Sequence, residues 1–254
     1  MKKYKLTEET KKYYGITLYR IEALKDFGTV KAGDKGGFIR SEDNLAHEGN
    51  AWVGGSAWVY GSACVYGNAQ VYGNAWVEGN AQVYGNAQVY GDARVEGNAW
   101  VGGSAWVEGN AWVGGSAQVY GNAQVGGSAQ VYGNAQVYGN ARVEGNAWVY
   151  GNARVGGNAQ VYGDALVDGN ARVYGNARVE GNADIVQIGP IGSRNDITTF
   201  FRGQENGISV RCGRFCGTID EFAEAVKKTH GGTKYEKEYM AAIAVARAHI
   251  DGNE

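Results

Sequence analysis

Four guanidinium groups lie close together near the end of this 254-residue chain: Arg194, Arg202, Arg211 and Arg214, beside Ser193, Asn195 and Thr199. Planar N–H forks bind phosphate oxygens bidentately, so this combination points to a phosphate or similar anion, a nucleotide or a nucleic-acid backbone as ligand. The competing reading is a solvated sheet face neutralised by Asp196 and Glu205.

The sulfur and imidazole groups offer less. Cys212 and Cys216 with a distant His230 supply three ligands at most, at a spacing foreign to the usual structural zinc sites. A buried pair of thiols is the expectation. No base is placed beside a cysteine to make it a nucleophile, and His47 and His249 are assigned capping or solvated roles. No catalytic residue, metal site or cofactor is predicted.

The elements that hold these groups follow from a glycine count of 42 against a single proline. Glycine at that level signals disorder when aperiodic and a repeat when periodic. Here it is periodic. From Ala51 the pattern Ala-x-Val-x-Gly-(Asn/Ser/Asp) recurs every six residues without insertion or deletion, placing alanine at twenty-three positions to Ala183 and valine two residues after each until Ile185 takes that slot. Alanine and valine at i and i+2 share one side of a short strand, while the residues after each point outward. The Gly-Asn pair reads as a corner, both residues tolerating a left-handed backbone. Three strand-corner units would close a triangular coil of 18 residues, and about eight coils spaced by the strand separation make a rod of about 37 Å.

Sorting outward residues by 18 separates three faces. One carries Trp58, Trp76, Arg94, Trp112, Gln130, Trp148 and Leu166, which places four of the seven tryptophans in one column. Another carries a ladder of Tyr66, Tyr84, Tyr120, Tyr138 and Tyr174 after the valines, interrupted by Gly102 and Gly156. Two readings stand open: aromatic rings stacking on coil neighbours, or an apolar face at Trp58, Trp76, Trp112 and Trp148 that binds a protein partner or a second copy. Ice binding is set aside, because residues 49–184 contain no threonine.

The domain plan is an N-terminal cap over 1–48, the repeat over 49–184 and a small α+β domain over 185–254. In the cap, a polar start precedes a β-type run Gly15 to Ile21 and a turn-rich stretch Lys31 to Ile39, with Ile39 and Leu45 in phase with the alanine slots. In the last segment, Ile185–Ile188, Ile197–Arg202 and Ile208–Cys212 read as strands, with Gly203 to Gly207 as a hairpin loop. The capping box Thr218-Ile219-Asp220-Glu221 opens a helix to about Thr229, and Tyr235, Tyr239, Ile243, Ala246 and Ile250 line a second.

The repeat, as in Val71-Tyr72-Gly73-Asn74-Ala75-Trp76, resembles the hexapeptide-repeat left-handed β-helix family. That resemblance implies a mainly β, single-stranded parallel left-handed β-helix. Its best-known members are trimeric acyltransferases with a histidine near the interface and loops that interrupt the coils. This chain has no interrupting loop in the repeat and no histidine between His47 and His230, which disfavours acyl transfer. The whole chain, through Gly36-Gly37-Phe38-Ile39, Thr198-Thr199-Phe200, Cys212-Gly213 and Lys228-Thr229-His230-Gly231, is similar to uncharacterised β-helix proteins of bacteriophages and prophages.

A formal charge of −2 with no single-sign segment argues against a dedicated nucleic-acid binder. No apolar run reaches membrane-spanning length, the start does not read as a signal peptide, and three cysteines form no disulfide framework. The expectation is a cytoplasmic, phage- or prophage-encoded interaction protein, without enzymatic activity, that binds and inhibits a host macromolecule. The alternatives are a protein that sequesters a nucleotide signal through its arginines and an acyltransferase-like enzyme.

Overall fold

The computed structural model describes residues 2–203 and 207–251. Of the expected hairpin loop Gly203 to Gly207, the ends are joined by the Gly203 amide donating to the Gly207 carbonyl at 2.7 Å, while residues 204–206, with Glu205 as a counter-ion, lie outside the described residues. Three strands open the chain, β1 (Tyr4–Tyr13), β2 (Ile16–Ala23) and β3 (Lys35–Ile39), and the repeat supplies two-residue strands from β4 (Trp52–Val53) to β25 (Arg178–Val179). Repeat strands three apart are parallel neighbours: Trp58 lies opposite Trp76 and Val59 opposite Val77, so a coil takes 18 residues. The product is a mainly β parallel solenoid of about eight turns with three sheets as its faces.

Every repeat alanine from Ala51 to Ala177 and every repeat valine is buried, in one continuous core, whereas Ala183 is exposed. One valine contributes about 2 kcal/mol, far less than the roughly 1–2 kcal/mol per residue needed to order a hexad. Each unit therefore depends on its stacked neighbours.

The corners differ from expectation in one respect. Only the glycine is left-handed, as at Gly109 with φ +67°, while Tyr14 and Asn195 are the non-glycine residues with positive φ. Positive φ at the first central residue, with alanine donating back to the residue before the glycine, is the pattern of a type II′ turn. A Cβ on Gly109 would sit 2.7 Å from the Gly127 carbonyl oxygen of the next coil. The corner asparagines are spent elsewhere: Asn122 Nδ2 donates to Asn140 Oδ1 at 3.0 Å, and Asn140 to Asn158 at 3.0 Å.

A parallel solenoid has two chemically different ends. Most bonds between coils run one way, each coil donating N–H groups to carbonyls of the following coil as Trp58 does to Ala75. The first coil thus presents spare acceptors and the last presents spare donors, which cannot be buried unpaired. Donors seal the first end: Lys3 Nζ reaches the Ala51 carbonyl at 2.7 Å, Asn44 Nδ2 the Ala63 carbonyl at 2.8 Å, and the Phe38 amide the Ala57 carbonyl at 2.8 Å. Lys3 is fully buried, and burial, helped by Lys25, lowers its pKa to about 8. Acceptors seal the other end: Asn182 Oδ1 takes the Leu166 amide at 2.9 Å, and Asp184 Oδ2 the Glu180 amide at 2.8 Å.

The cap is more ordered than its sequence suggests. The polar start is the edge strand β1, whose charged side chains face solvent along most of its length, a pattern that protects an open sheet edge. The turn-rich stretch ends in β3, where glycine is demanded because a Cβ on Gly36 would lie 2.5 Å from the Val53 carbonyl oxygen. Ile39 and Leu45 occupy the valine column, opposite Val59 and Val65, rather than the alanine slots. The first corner therefore holds two extra residues, around His47 to Gly49.

At the far end, β26 (Ile185–Ile191), β27 (Asp196–Arg202), β28 (Ile208–Cys212) and β29 (Phe215–Thr218) form an antiparallel sheet in that order, followed by α1 (Ile219–His230) and α2 (Lys234–Ile250). One sheet face extends the rod core through Ile185 and Phe201. The other packs Phe200, Ile208 and Val210 against Phe222, Val226, Tyr239 and Ile243 of the helices. The Thr218–Glu221 capping box is present as the sequence indicates. Strand β29, short and glycine-containing, was not anticipated.

Candidate functional site

The tryptophan column exists, and the structure divides it. Trp58 and Trp76 stack with ring centroids 5.0 Å apart. Tyr13, at the end of β1, meets both edge-on at 5.4 and 5.0 Å, and Lys11 lies over Trp58. The β1–β2 hairpin thus covers this half of the face, correcting the expectation that all four tryptophans form one open patch. The hairpin closes through Tyr14 and Gly15, both with positive φ as a two-residue hairpin turn demands. Its tip is therefore held over the column.

Arg94 marks the division, its guanidinium 5.0 Å from the Trp76 ring and 6.0 Å from that of Trp112. Beyond it the face is open. Trp112, Gln130, Tyr132, Trp148 and Tyr150 line a groove of about 290 Å³. Trp112 stands edge-to-face against Tyr132 at 5.2 Å. Trp148 is 49% exposed, and Tyr150 and Leu166 continue the exposed surface.

Glycines after the valines make room for these rings. Tyr132 lies over Gly114, where a Cβ would come within 2.6 Å of its ring, and reaches past that coil to donate to Glu96. Burial, then this hydrogen bond, pushes the Tyr132 phenol above its ordinary pKa. The ladder on the third face obeys the same rule: Tyr66 and Tyr84 stack at 5.4 Å, Tyr120 and Tyr138 at 5.2 Å, and Gly102 and Gly156 accept the rings of Tyr84 and Tyr138. The spacing Tyr-Tyr-Gly was visible in sequence; its steric cause was not.

The four arginines do not form one cluster. Arg202 points to the helix side, where its Nε donates to Asp184 Oδ1 at 2.6 Å and its Nη2 to the Ile250 carbonyl. Arg211 points to the rod side, its guanidinium 4.6 Å from the Tyr174 ring. These two join the domain to the rod. The alternation of a strand explains the split, since positions 202 and 211 fall on opposite faces of the sheet. Arg194 and Arg214 instead sit at neighbouring hairpin turns and share a pocket of about 250 Å³ with Ser193, Cys212, Phe215, Phe222, Thr229, His230 and Tyr239. The buried Tyr239 phenol is pushed up to about 12 by burial and by Cys212.

The expected buried thiol pair is absent. Cys216 is exposed and pairs with Arg211, whereas Cys212 pairs with Phe215, which puts the two sulfurs on opposite faces. Among the described residues no group of three or more His, Cys, Asp or Glu side chains is placed to hold a metal ion. His47 stacks on Tyr4 at 4.4 Å and accepts the Lys3 amide, and His249 meets the Asn182 carbonyl at 3.0 Å. No helix among the described residues is long and apolar enough to cross a membrane.

Fold and surface together define a repeat β-helix protein with an aromatic face and an appended α+β domain. Within that class, residues 69–85, 87–103, 117–133, 135–151, 159–173 and 171–183 match the family model described as the YdcK beta solenoid repeat. A curated relative, described as the uncharacterized acetyltransferase YdcK of Escherichia coli (strain K12), is 39% identical over 61 residues. The match covers 21% of this chain and 19% of that protein, so the chain spans about a fifth of the relative's length.

Proposed function

We propose that this protein is a non-catalytic interaction protein of phage or prophage origin, acting in the host cytoplasm, whose open aromatic groove docks a host protein and inhibits it. One observation carries the reading: the same column is already used once for docking. Tyr13 and Lys11 from the hairpin occupy the Trp58–Trp76 half, while the Trp112–Trp148 half presents the same kind of rings without an occupant among the described residues. The occupant it fits is a β-hairpin or edge strand of the partner that presents an aromatic ring flanked by a cation. Exposed contiguous aromatic surface of this kind is enriched at protein contacts.

A photo-crosslinking residue at Tyr150, on this face, and one at Tyr120, on the tyrosine-ladder face, test the reading in the native host. A stoichiometric protein crosslinked from position 150 and not from position 120 supports it. Crosslinks between two copies of the chain from position 150 would replace the host partner by self-association. Equal crosslinking from both positions, or none, would remove the groove from the account.

The relative's description as an acetyltransferase favours a second reading, acyl transfer. Turnover of acetyl-CoA by the purified chain would establish it, and its absence with a panel of amine and hydroxyl acceptors would retire it.

A further inference from the structure

The pocket between the two hairpin turns of the C-terminal sheet combines features the rod lacks. Gly192–Asn195 and Gly213–Arg214 are adjacent turns at one end of the sheet, held by positive φ at Gly192, Asn195 and Gly213. Each is anchored. The Gly192 amide donates to Glu238 Oε2 at 2.7 Å, and the Gly213 carbonyl accepts from Arg172 Nη1 at 3.4 Å. The Arg194 guanidinium lies across Gly213, where a Cβ would come 2.9 Å from its Nη1. Glycine thus permits the two arginines to approach one mouth.

Neither Arg194 nor Arg214 forms an ion pair with a described residue, unlike Arg202 and Arg247, each of which holds an aspartate. The nearby carboxylates are otherwise engaged: Glu238 on the Gly192 amide and Glu221 on the Thr218 amide. Ser193, Thr229 and His230 add hydroxyl and imidazole groups at the rim, and Phe215, Phe222 and Val226 supply an apolar floor. Charge at the rim over a flat floor selects a ligand with both characters.

We propose that this pocket binds a small phosphomonoester carried on a flat apolar group, with Arg194 and Arg214 clasping the phosphate and the Phe215–Phe222 floor receiving the ring. At about 250 Å³ the pocket lies just under the roughly 300–1,000 Å³ of ordinary small-molecule sites. A mononucleotide-sized or smaller ligand fits it; a dinucleotide does not. This narrows the anion expectation from four arginines to two and is independent of the groove on the rod.

The probe is phenyl phosphate, titrated calorimetrically into the full chain at low salt. Saturable heat is expected, with affinity reduced at least tenfold in Arg194→Gln and in Arg214→Gln, unchanged in Arg154→Gln on the rod, and lowered by added salt. The two variants alter exposed turn residues, and circular dichroism verifies their fold. Arg214→Lys keeps the charge but loses the fork, so a several-fold weakening is expected there. No heat at millimolar phenyl phosphate, or heat unchanged in both glutamine variants, would overturn the proposal. Benzoate binding as tightly as phenyl phosphate would overturn the assignment to a phosphomonoester.

Discussion

The two halves of the tryptophan column are built from the same strand positions on the same sheet, yet they are treated differently by the rest of the chain. At Trp58 and Trp76 the column is covered: Tyr13 fits against both half-buried rings, and Leu18, Phe38 and Tyr60 form a small core beneath the hairpin. At the open half the half-buried Trp112 ring meets Tyr132 and Arg94, and Trp148 faces solvent. A repeat makes equivalent positions by construction, so inequality between them has to come from outside the repeat. The hairpin is that source, and it separates tryptophans that it covers from tryptophans that it leaves open.

Changing one ring in each half should expose the contrast. Trp58→Ala removes a half-buried ring stacked on Trp76 and held by Tyr13, and is expected to cost about 3 kcal/mol, the lower end for truncating a core aromatic residue, read from urea unfolding. A loss below about 1 kcal/mol would mean that the hairpin does not grip the column. Lys3→Met breaks the seal under the same cap, leaving the Ala51 carbonyl without its donor, for an expected loss of about 2 kcal/mol.

The pH dependence of the same variant gives a signed check. Because Lys3 titrates near pH 8 in the folded chain and near 10.5 when unfolded, the unfolded chain holds this proton more tightly. Its contribution to stability therefore rises between pH 8 and 10.5, and that rise should vanish in Lys3→Met. Tyrosines act in the opposite sense. Burial raises the phenol of Tyr60 first, as it does those of Tyr4 and Tyr132, so the folded chain binds these protons more tightly and stability falls as pH climbs above 10. Tyr60→Phe, in the closed half, should flatten that alkaline fall more than Tyr150→Phe in the open half. The smallest effect belongs to Trp148→Ala, which should change stability by no more than about 0.5 kcal/mol.

Much of this architecture is legible in the sequence, for a physical reason. Period six with small residues at two fixed slots leaves a single way to bury them, so the coil length and the three columns followed from counting. The inward alanines and valines, the capping box at Thr218 and the helical face from Tyr235 to Ile250 are local patterns with local causes. What escaped the sequence depends on contacts between distant segments. Strand β1 is polar because it is an edge, so its side chains conceal the strand, and its reach to Trp58 is set by a turn 44 residues away. The arginines looked like one cluster because proximity in sequence cannot say which face of a sheet a residue takes. The extra residues of the first corner shifted Ile39 and Leu45 by one column, which an in-phase count could not detect.

The most direct test of the account compares two exposed tryptophans on different faces, Trp148 on the aromatic column and Trp106 on the neighbouring sheet, 49% and 41% accessible. Affinity for the crosslinked partner would be measured with Trp148→Asp and Trp106→Asp, both of which should keep wild-type stability within about 0.5 kcal/mol. The account predicts that the first loses binding by a hundredfold or more while the second retains it. Equal affinities, or a loss confined to Trp106→Asp, would contradict the claim that the open half of the column is where this protein binds.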